Sequence, residues 1–271
     1  MTKKFGILAY PAGHSLSPAM HNAAFEKLGI DASYEFFETP PEKLEEFIQR
    51  VRAEHIDGLS VSIPHKEKII PLLDEVTDAA QEIGAVNTVL WREEKLVGDN
   101  TDWLGFLGSF NESIENKKVV VLGGGGAARA IVFALLKKNC EVTVVTREAW
   151  EFEGLQKDFG EKIANYDFIQ NLDKYNPEIL VNSTPLGMKG KFEGISFVDP
   201  KWFEHHQPLV FDIVYNPRET KLLKDAKATS CETIEGLNML VNQAVAQFEK
   251  FTNQKIEIEM MWDTAVAELE K

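Results

Sequence analysis

Five short stretches carry residue types that can do chemistry. The first is Val119-Val-Val-Leu-Gly-Gly-Gly-Gly-Ala-Ala-Arg-Ala130, in which Gly123, Gly125 and Ala128 keep the G-x-G-x-x-G/A spacing. Glycine lets the backbone turn sharply and lets a phosphate approach the main chain. The N-terminus of the following helix then presents free N–H groups and the positive end of its dipole to that anion. The chemistry is dinucleotide binding; the plainer alternative is a glycine-rich turn in an α/β protein without a nucleotide. The second stretch holds Ser15 and Ser17, just before Pro18. Their hydroxyls lie beside a helix start, a good place for a carboxylate, although Ser17 also reads as an ordinary N-cap. Lys66 follows the apolar end of a strand, beside Glu67 and Lys68. It reads either as a crevice lysine or as a solvated charge. Asn87 is polar among apolar neighbours, either a satisfied core amide or a ligand contact. Asp102, in the first turn after Thr101, reads locally as a helix-dipole acid.

The elements that must position these residues follow from periodicity. Residues 4–10 read as a strand. Serine and proline at 17 and 18 open a helix that Gly29 stops. A second strand covers 34–38. An amphipathic helix over 41–54 turns Leu44, Phe47, Ile48 and Val51 to one side. A third strand over 58–64 ends at Pro64, just before Lys66. Strand–helix–strand alternation argues a parallel sheet, whose ligand crevice lies at the carboxyl ends of its strands. Residues 85–91 and 95–98 read as a hairpin, and Thr101 as the cap of a helix through Trp103, Phe106 and Leu107. The second half opens at Lys117. Its first strand ends in the glycine turn, and its second covers 141–147. Further strands cover 178–184 and 209–214, and amphipathic helices cover 236–248 and 256–269.

Bulk composition narrows the class. The chain has 271 residues, 44% hydrophobic and 27% charged, as expected of a globular protein of one or two domains. A net charge of −14 argues against nucleic acid and anionic membranes as partners. Cys140 and Cys231 are the only cysteines, which suits a reducing compartment, and a cytoplasmic protein is the expectation. His14 and His21, and the adjacent His205 and His206, give no persuasive metal set.

Taken together, the motifs resemble those of the shikimate dehydrogenase family over nearly the whole length. They are Gly13-His-Ser-Leu-Ser-Pro18 with His21-Asn22, Val61-Ser-Ile-Pro-His-Lys66, Gly84-Ala-Val-Asn-Thr88 and Asn100-Thr-Asp102. They continue with residues 123–127, Asn182-Ser-Thr184, Gly187-Met188, Asp212-Ile-Val-Tyr-Asn-Pro217, and Gly236-Leu-Asn-Met-Leu240 with Gln243. The resemblance implies an α/β protein of two domains. Residues 1–101 plus 237–271 would form a substrate-binding domain, and 102–236 a Rossmann-like dinucleotide-binding domain. The implied reaction is reversible hydride transfer between a nicotinamide cofactor and 3-dehydroshikimate, giving shikimate. By resemblance Ser15 and Ser17 hold the substrate carboxylate. Ser62, Asn87, Tyr215 and Gln243 line the ring site, and Lys66 and Asp102 form the catalytic pair. Gly123, Gly124, Gly125, Gly126, Ala127, Thr146, Arg147, Ile213 and Gly236 are the implied cofactor residues. Reducing a ketone develops negative charge on its oxygen, and a nearby ammonium can stabilise that charge and donate the proton.

Two departures from the family pattern bear on specificity. Where NADP-using members carry Asn-Arg-Thr, this chain has Thr146-Arg147-Glu148, with Glu151 following. Arg147 suits a 2′-phosphate, whereas Glu148 opposes it if it faces the same pocket. NADP is the expectation, with NAD as the alternative. Ser60 stands where the family often has asparagine, and Ser62 replaces threonine, which leaves room for quinate. The competing readings are an NAD-dependent quinate/shikimate dehydrogenase and a non-catalytic nucleotide-binding sensor. A small-molecule substrate and a monomer or homodimer are expected, with Trp91, Trp103, Trp150, Trp202 and Trp262 as candidates for either a subunit contact or the core.

Overall fold

A computed structural model describes residues 2–13 and 15–271. In chain order they form β1 (Lys3–Ala9), α1 (Ser17–Leu28), β2 (Ala32–Glu38), α2 (Leu44–Glu54), β3 (Gly58–Val61), β4 (Glu75–Val76), α3 (Asp78–Ile83), β5 (Thr88–Arg92), β6 (Lys95–Asp99) and α4 (Asp102–Leu107). Then come β7 (Lys118–Leu122), α5 (Gly126–Lys137), β8 (Glu141–Thr146), α6 (Trp150–Phe159), β9 (Asn165–Phe168) and β10 (Ile179–Asn182). The chain ends with α7 (Pro200–His206), β11 (Leu209–Asp212), α8 (Lys221–Ala228), β12 (Thr233–Ile234), α9 (Gly236–Thr252) and α10 (Ile258–Leu269). Contacts divide the chain into two units. The first runs to Asp102 and resumes at Val241–Lys271; the second is Trp103–Leu240.

The first unit is built on a six-stranded sheet in the order β2-β1-β3-β5-β6-β4. β1 pairs in parallel with β2 and β3, whereas β5 is antiparallel to both β3 and β6. The register aligns Ile7, Ser60, Thr88 and Asp99 in one row. This mixed direction decides where the candidate residues emerge. β1, β3 and β6 run toward one edge of the sheet and β5 starts from it. The segments after β1, β3 and β6 and the residue before β5 therefore meet there, carrying Ser15 and Ser17, Lys66, Asp102 and Asn87 respectively. Alternation along β1 sends Leu8 and Phe5 to opposite faces. Leu8 joins Leu44, Phe47, Ile48 and Val51 of α2 in one core. Phe5 packs against Phe25 of α1 and Phe251 of α9. Each such fully buried side chain contributes roughly 1.5–3 kcal/mol.

The second unit has six strands in the order β12-β11-β10-β7-β8-β9, all parallel. An all-parallel sheet is covered on both faces, so its strands read as apolar runs, as in β7 (KVVVL) and β10 (ILVN). The chain winds outward from β7 through β8 to β9, then returns to the other side of β7 with β10. The strand order reverses between β7 and β10, and a ligand crevice opens at the carboxyl ends of strands at such a point. The glycine turn after β7 and Ser183 after β10 lie there.

Three local expectations need correction. α1 starts at Ser17 with Leu16 as its cap, and no side chain caps it. Ser17 is already the first helical residue, and its own N–H donates to Ser15 Oγ at 3.2 Å, so Ser15 rather than Ser17 satisfies a first-turn donor. Thr101 does not act as a simple cap either, since its hydroxyl is shared between Asn87 and the Gln243 carbonyl. Asn87 stands one residue ahead of β5, although its N–H still donates to the Asp99 carbonyl and its carbonyl accepts from Val61.

Candidate active site

In the first unit Lys66 Nζ lies 2.5 Å from Asp102 Oδ2, with the lysine side chain 16% and the aspartate side chain 7% exposed. The other oxygen, Oδ1, accepts from Asn87 Nδ2 at 2.8 Å. The carboxylate is thus held from both sides, by a cation and by a fixed amide. Lys66 is pinned through its backbone, since its carbonyl accepts the Val86 N–H at 2.7 Å. The Asp102 N–H donates to Asn100 Oδ1, and the Asn100 amide donates to the Ala85 carbonyl. Asn87 Oδ1 accepts the Thr101 N–H at 2.7 Å and the Thr88 hydroxyl at 2.7 Å, which fixes its amide with the NH2 toward Asp102. Gln243 Oε1 lies 3.4 Å from the same NH2.

A buried polar chain supports this cluster from behind. The Tyr34 hydroxyl donates to Ser60 Oγ at 2.5 Å, and Ser60 donates to Gln247 Oε1 at 2.6 Å. Gln247 Nε2 donates to the Asn87 carbonyl and to Thr88 Oγ1 at 2.9 and 3.0 Å. Ser60 is 4% exposed and Gln247 1%. Burial pushes the Tyr34 hydroxyl above its ordinary pKa, against hydrogen bonds with Ser60 and Ser17 that work the other way. His21 is fully buried and stacks on Tyr34 with ring centroids 4.5 Å apart. Neither of its ring nitrogens has a hydrogen-bond partner among the described residues. Burial alone lowers its pKa to about 3. Ser15 and Ser17 sit where α1 begins, Ser17 buried and Ser15 partly so, and Ser62 is half-buried in the turn that carries Lys66.

In the second unit the glycine turn reads atom by atom. Gly123 holds a φ of +106°, and a Cβ there would meet Ser183 Oγ at 2.8 Å. A Cβ on Gly124 would stand 1.7 Å from the Glu151 carbonyl oxygen, so the start of α6 can press on this turn only because the residue is glycine. A Cβ on Gly125 would meet nothing within 4 Å. Gly125 also caps α5, whose first-turn N–H groups at Gly126 and Ala127 have no acceptor within the helix. An open cradle lined by main-chain donors fits a nucleotide pyrophosphate. Thr146 is buried at the end of β8, and its hydroxyl donates to the Glu148 carbonyl. Arg147, next along, is exposed. Gly236 lets α9 start against the Ile213 carbonyl, 2.3 Å from where a Cβ would stand. Asp212, just before Ile213, accepts from Thr220, Asn182 and the Val214 N–H. Burial raises its pKa to about 6 despite those bonds.

The first unit therefore gathers Lys66, Asp102, Asn87 and Gln243 into one hydrogen-bonded cluster. Tyr215 belongs to the second unit, on the segment after β11, and burial raises its hydroxyl pKa. His14 lies outside the described residues, and among those described no cluster suited to a metal is present. Sequence reasoning missed Tyr34, Thr88 and Gln247. Gln247 carried a signal: it stands one helical turn from Gln243, a second amide on the same stripe of a largely apolar helix.

Comparison with known proteins gives consistent results along the chain. The family model described as shikimate dehydrogenase substrate binding domain matches residues 7–89. That for shikimate / quinate 5-dehydrogenase matches 108–237, and that for the shikimate 5'-dehydrogenase C-terminal domain matches 236–265. The shikimate dehydrogenase (NADP(+)) of Pelobacter propionicus is 41% identical, covering 93% of this chain and 91% of its own. That of Geobacillus kaustophilus is 39% identical with both chains covered in full. The crystal structure of the Thermus thermophilus shikimate 5-dehydrogenase, in complex with NADP(H) and shikimate, superposes with a TM-score of 0.87. It is 35% identical and covers 98% of this chain and 99% of that one.

Proposed function

The chain belongs to the shikimate dehydrogenase family, and from that premise we propose how its own residues carry the reaction. The reaction is the reversible reduction of 3-dehydroshikimate to shikimate, with NADP as cofactor. When bound, NADP(H) supplies or accepts the hydride. Gly123, Gly124, Gly125, Gly126 and Ala127 would hold its pyrophosphate and Thr146 and Arg147 its adenosine end, with Ile213 and Gly236 as further cofactor contacts. The open cradle at Gly125 supports that assignment.

Lys66 is the proton donor in the reducing direction. As negative charge grows on the ketone oxygen, the ammonium stabilises it and hands over one proton, which completes the alcohol. Asp102 orients the lysine through Oδ2. Asn87 keeps the carboxylate from rotating through Oδ1. The observation that carries this reading is the 2.5 Å Lys66–Asp102 contact with Asn87 braced behind it. Ser15 and Ser17 hold the substrate carboxylate, a role supported by their place at the start of α1. Ser62, Asn87, Gln243 and Tyr215 contact the ring hydroxyls or line the pocket. The unit that runs to Asp102 and resumes at Val241 serves as the substrate-binding domain, and the unit Trp103–Leu240 binds the dinucleotide.

Ser60, one of the two departures from the family pattern, hydrogen-bonds to Tyr34 and Gln247 and is buried. Its hydroxyl is committed to the framework behind the Lys66–Asp102 cluster. Both cysteines are free and buried, in keeping with a reducing compartment such as the cytoplasm. No helix among the described residues is long and apolar enough to cross a membrane. Trp202 is core and Trp150 is exposed, so of these two only Trp150 is available to a subunit contact in a homodimer. Initial rates with shikimate and quinate, each with NADP+ and NAD+, test the reading. Efficient oxidation of shikimate with NADP+ is expected. Comparable turnover of quinate would move the protein to the broader specificity, and no turnover with any pair would favour a nucleotide sensor.

A further inference from the structure

We propose that Glu151 sets the balance between NADP and NAD in this chain, because its carboxylate occupies two of the donors that Arg147 would offer a 2′-phosphate. The inference rests on the assignment of Arg147 to the adenosine end of NADP. Arg147 follows directly on β8. Its main-chain N–H donates to Glu151 Oε2 at 3.2 Å, and its Nη2 donates to Glu151 Oε1 at 3.0 Å. One carboxylate thus spans the main-chain donor and the side-chain donor of the same residue. The two partners differ in exposure: the Arg147 side chain is 57% exposed and that of Glu151 only 13%. The anion is tucked under the cation, and the guanidinium carbon also lies 5.5 Å from the centre of the Phe197 ring.

Glu151 is held there by its backbone as well. Its carbonyl oxygen fills the space a side chain on Gly124 would need, so the glycine turn and the Arg147 site grip the same residue at its two ends. Glu148, the acid that the sequence sets against the phosphate, is exposed, and the ion pair of Arg147 is made with Glu151. A 2′-phosphate approaching Arg147 meets a carboxylate already seated on its donors and must displace it or share them. A 2′-hydroxyl has no such conflict, and a carboxylate can accept its hydrogen bond. Glu151 therefore weakens NADP selectively and leaves NAD binding intact, which narrows the preference that Arg147 creates.

The test is calorimetric titration of NADP+, NAD+ and adenosine 2′-monophosphate into the wild-type protein, E151Q, E148Q and the double variant R147A/E151Q. Removing a like charge a few ångströms from the phosphate is expected to tighten NADP+ and adenosine 2′-monophosphate about tenfold in E151Q, with NAD+ within about twofold of wild type. E148Q should move none of the three by more than about twofold. In R147A/E151Q the gain should vanish. A merely structural role for Glu151 would weaken NADP+ and NAD+ together, and that result overturns the proposal. So does a selective loss of NADP+ affinity in E151Q, which would make Glu151 a brace that prepares Arg147 for the phosphate. A larger effect from E148Q than from E151Q overturns it too, and does not depend on how E151Q folds. If the wild-type protein binds no NADP+ at all, the cofactor assignment falls and this inference with it. Binding of NADP+ without a Glu151 effect overturns the inference alone.

Discussion

Asp102 commits one oxygen to Lys66 and the other to Asn87, so the lysine is aimed before any substrate arrives. K66A should lower kcat by roughly a hundredfold or more, the usual scale for a group that moves a proton in the transition state. Steady-state rates of shikimate oxidation measure it, and near-normal kcat in a folded variant would remove Lys66 from the mechanism. Gln247 acts further back. Q247L leaves the Ser60 hydroxyl without its acceptor and Thr88 Oγ1 without its amide donor, both buried. Such losses destabilise by roughly 1–3 kcal/mol. An unchanged urea midpoint would show that the amide chain holds nothing together. Lys66, Asp102 and Asn87 were legible in the sequence only as a set: each alone has an ordinary reading as a surface charge, a helix acid or a core amide. Their convergence depends on strand direction, which no local pattern reports.

At the scale of elements, the glycine turn separates fold from ligand. G124A drives a Cβ into the Glu151 carbonyl and forces α6 to move. Overpacking of that kind costs roughly 1–3 kcal/mol. G125A meets no protein atom. It should leave stability within about 0.5 kcal/mol of wild type, as substitutions away from packed or strained features do. Its NADP+ affinity should nevertheless fall, because the methyl enters the space a phosphate needs. Thermal melts beside NADP+ titrations of the two variants check this, and a G125A that binds normally would argue that the pyrophosphate lies elsewhere. Long, strongly periodic elements were readable in advance. The apolar runs of β7, β8 and β10, the buried stripe of α2 and the hairpin of β5 and β6 form as the pattern indicates, with ends shifted by up to three residues. The two-residue strands β4 and β12 were not readable, since such short pieces exist only through their neighbours. Nor was β9, whose Asn-Tyr-Asp-Phe mixes polar and aromatic residues on an edge strand.

For the molecule as a whole, one buried titratable group in each unit gives a pH dependence of opposite sign. His21, with its pKa lowered to about 3, is neutral in the folded state but takes a proton near its ordinary value when unfolded. Its contribution is present above pH ~6.5 and is lost as the pH falls through that range toward about 3, on the order of a few kcal/mol in all. Asp212, raised to about 6, works the other way. Its contribution is present below pH ~4 and is lost as the pH rises through about 6, on the order of 2–3 kcal/mol. Urea denaturation between pH 4 and 7.5 should show H21F flattening the acid loss in the first unit, and D212N removing the opposite trend in the second. Wild-type slopes in both variants would assign the pH dependence to other groups. The division of the chain carries a last consequence, for biosynthesis. The second unit is complete once the ribosome has passed Leu240, whereas the first waits for Val241–Lys271 although its strands were translated earlier. The hydrogen bonds of Asn87 with Gln243 and Gln247 join residues translated some 160 positions apart, so the cluster around Lys66 and Asp102 is the last part of the nascent protein to form. A polypeptide released early at Leu240 is expected to keep a protease-resistant second unit and to lack the support that Gln243 and Gln247 give Asn87.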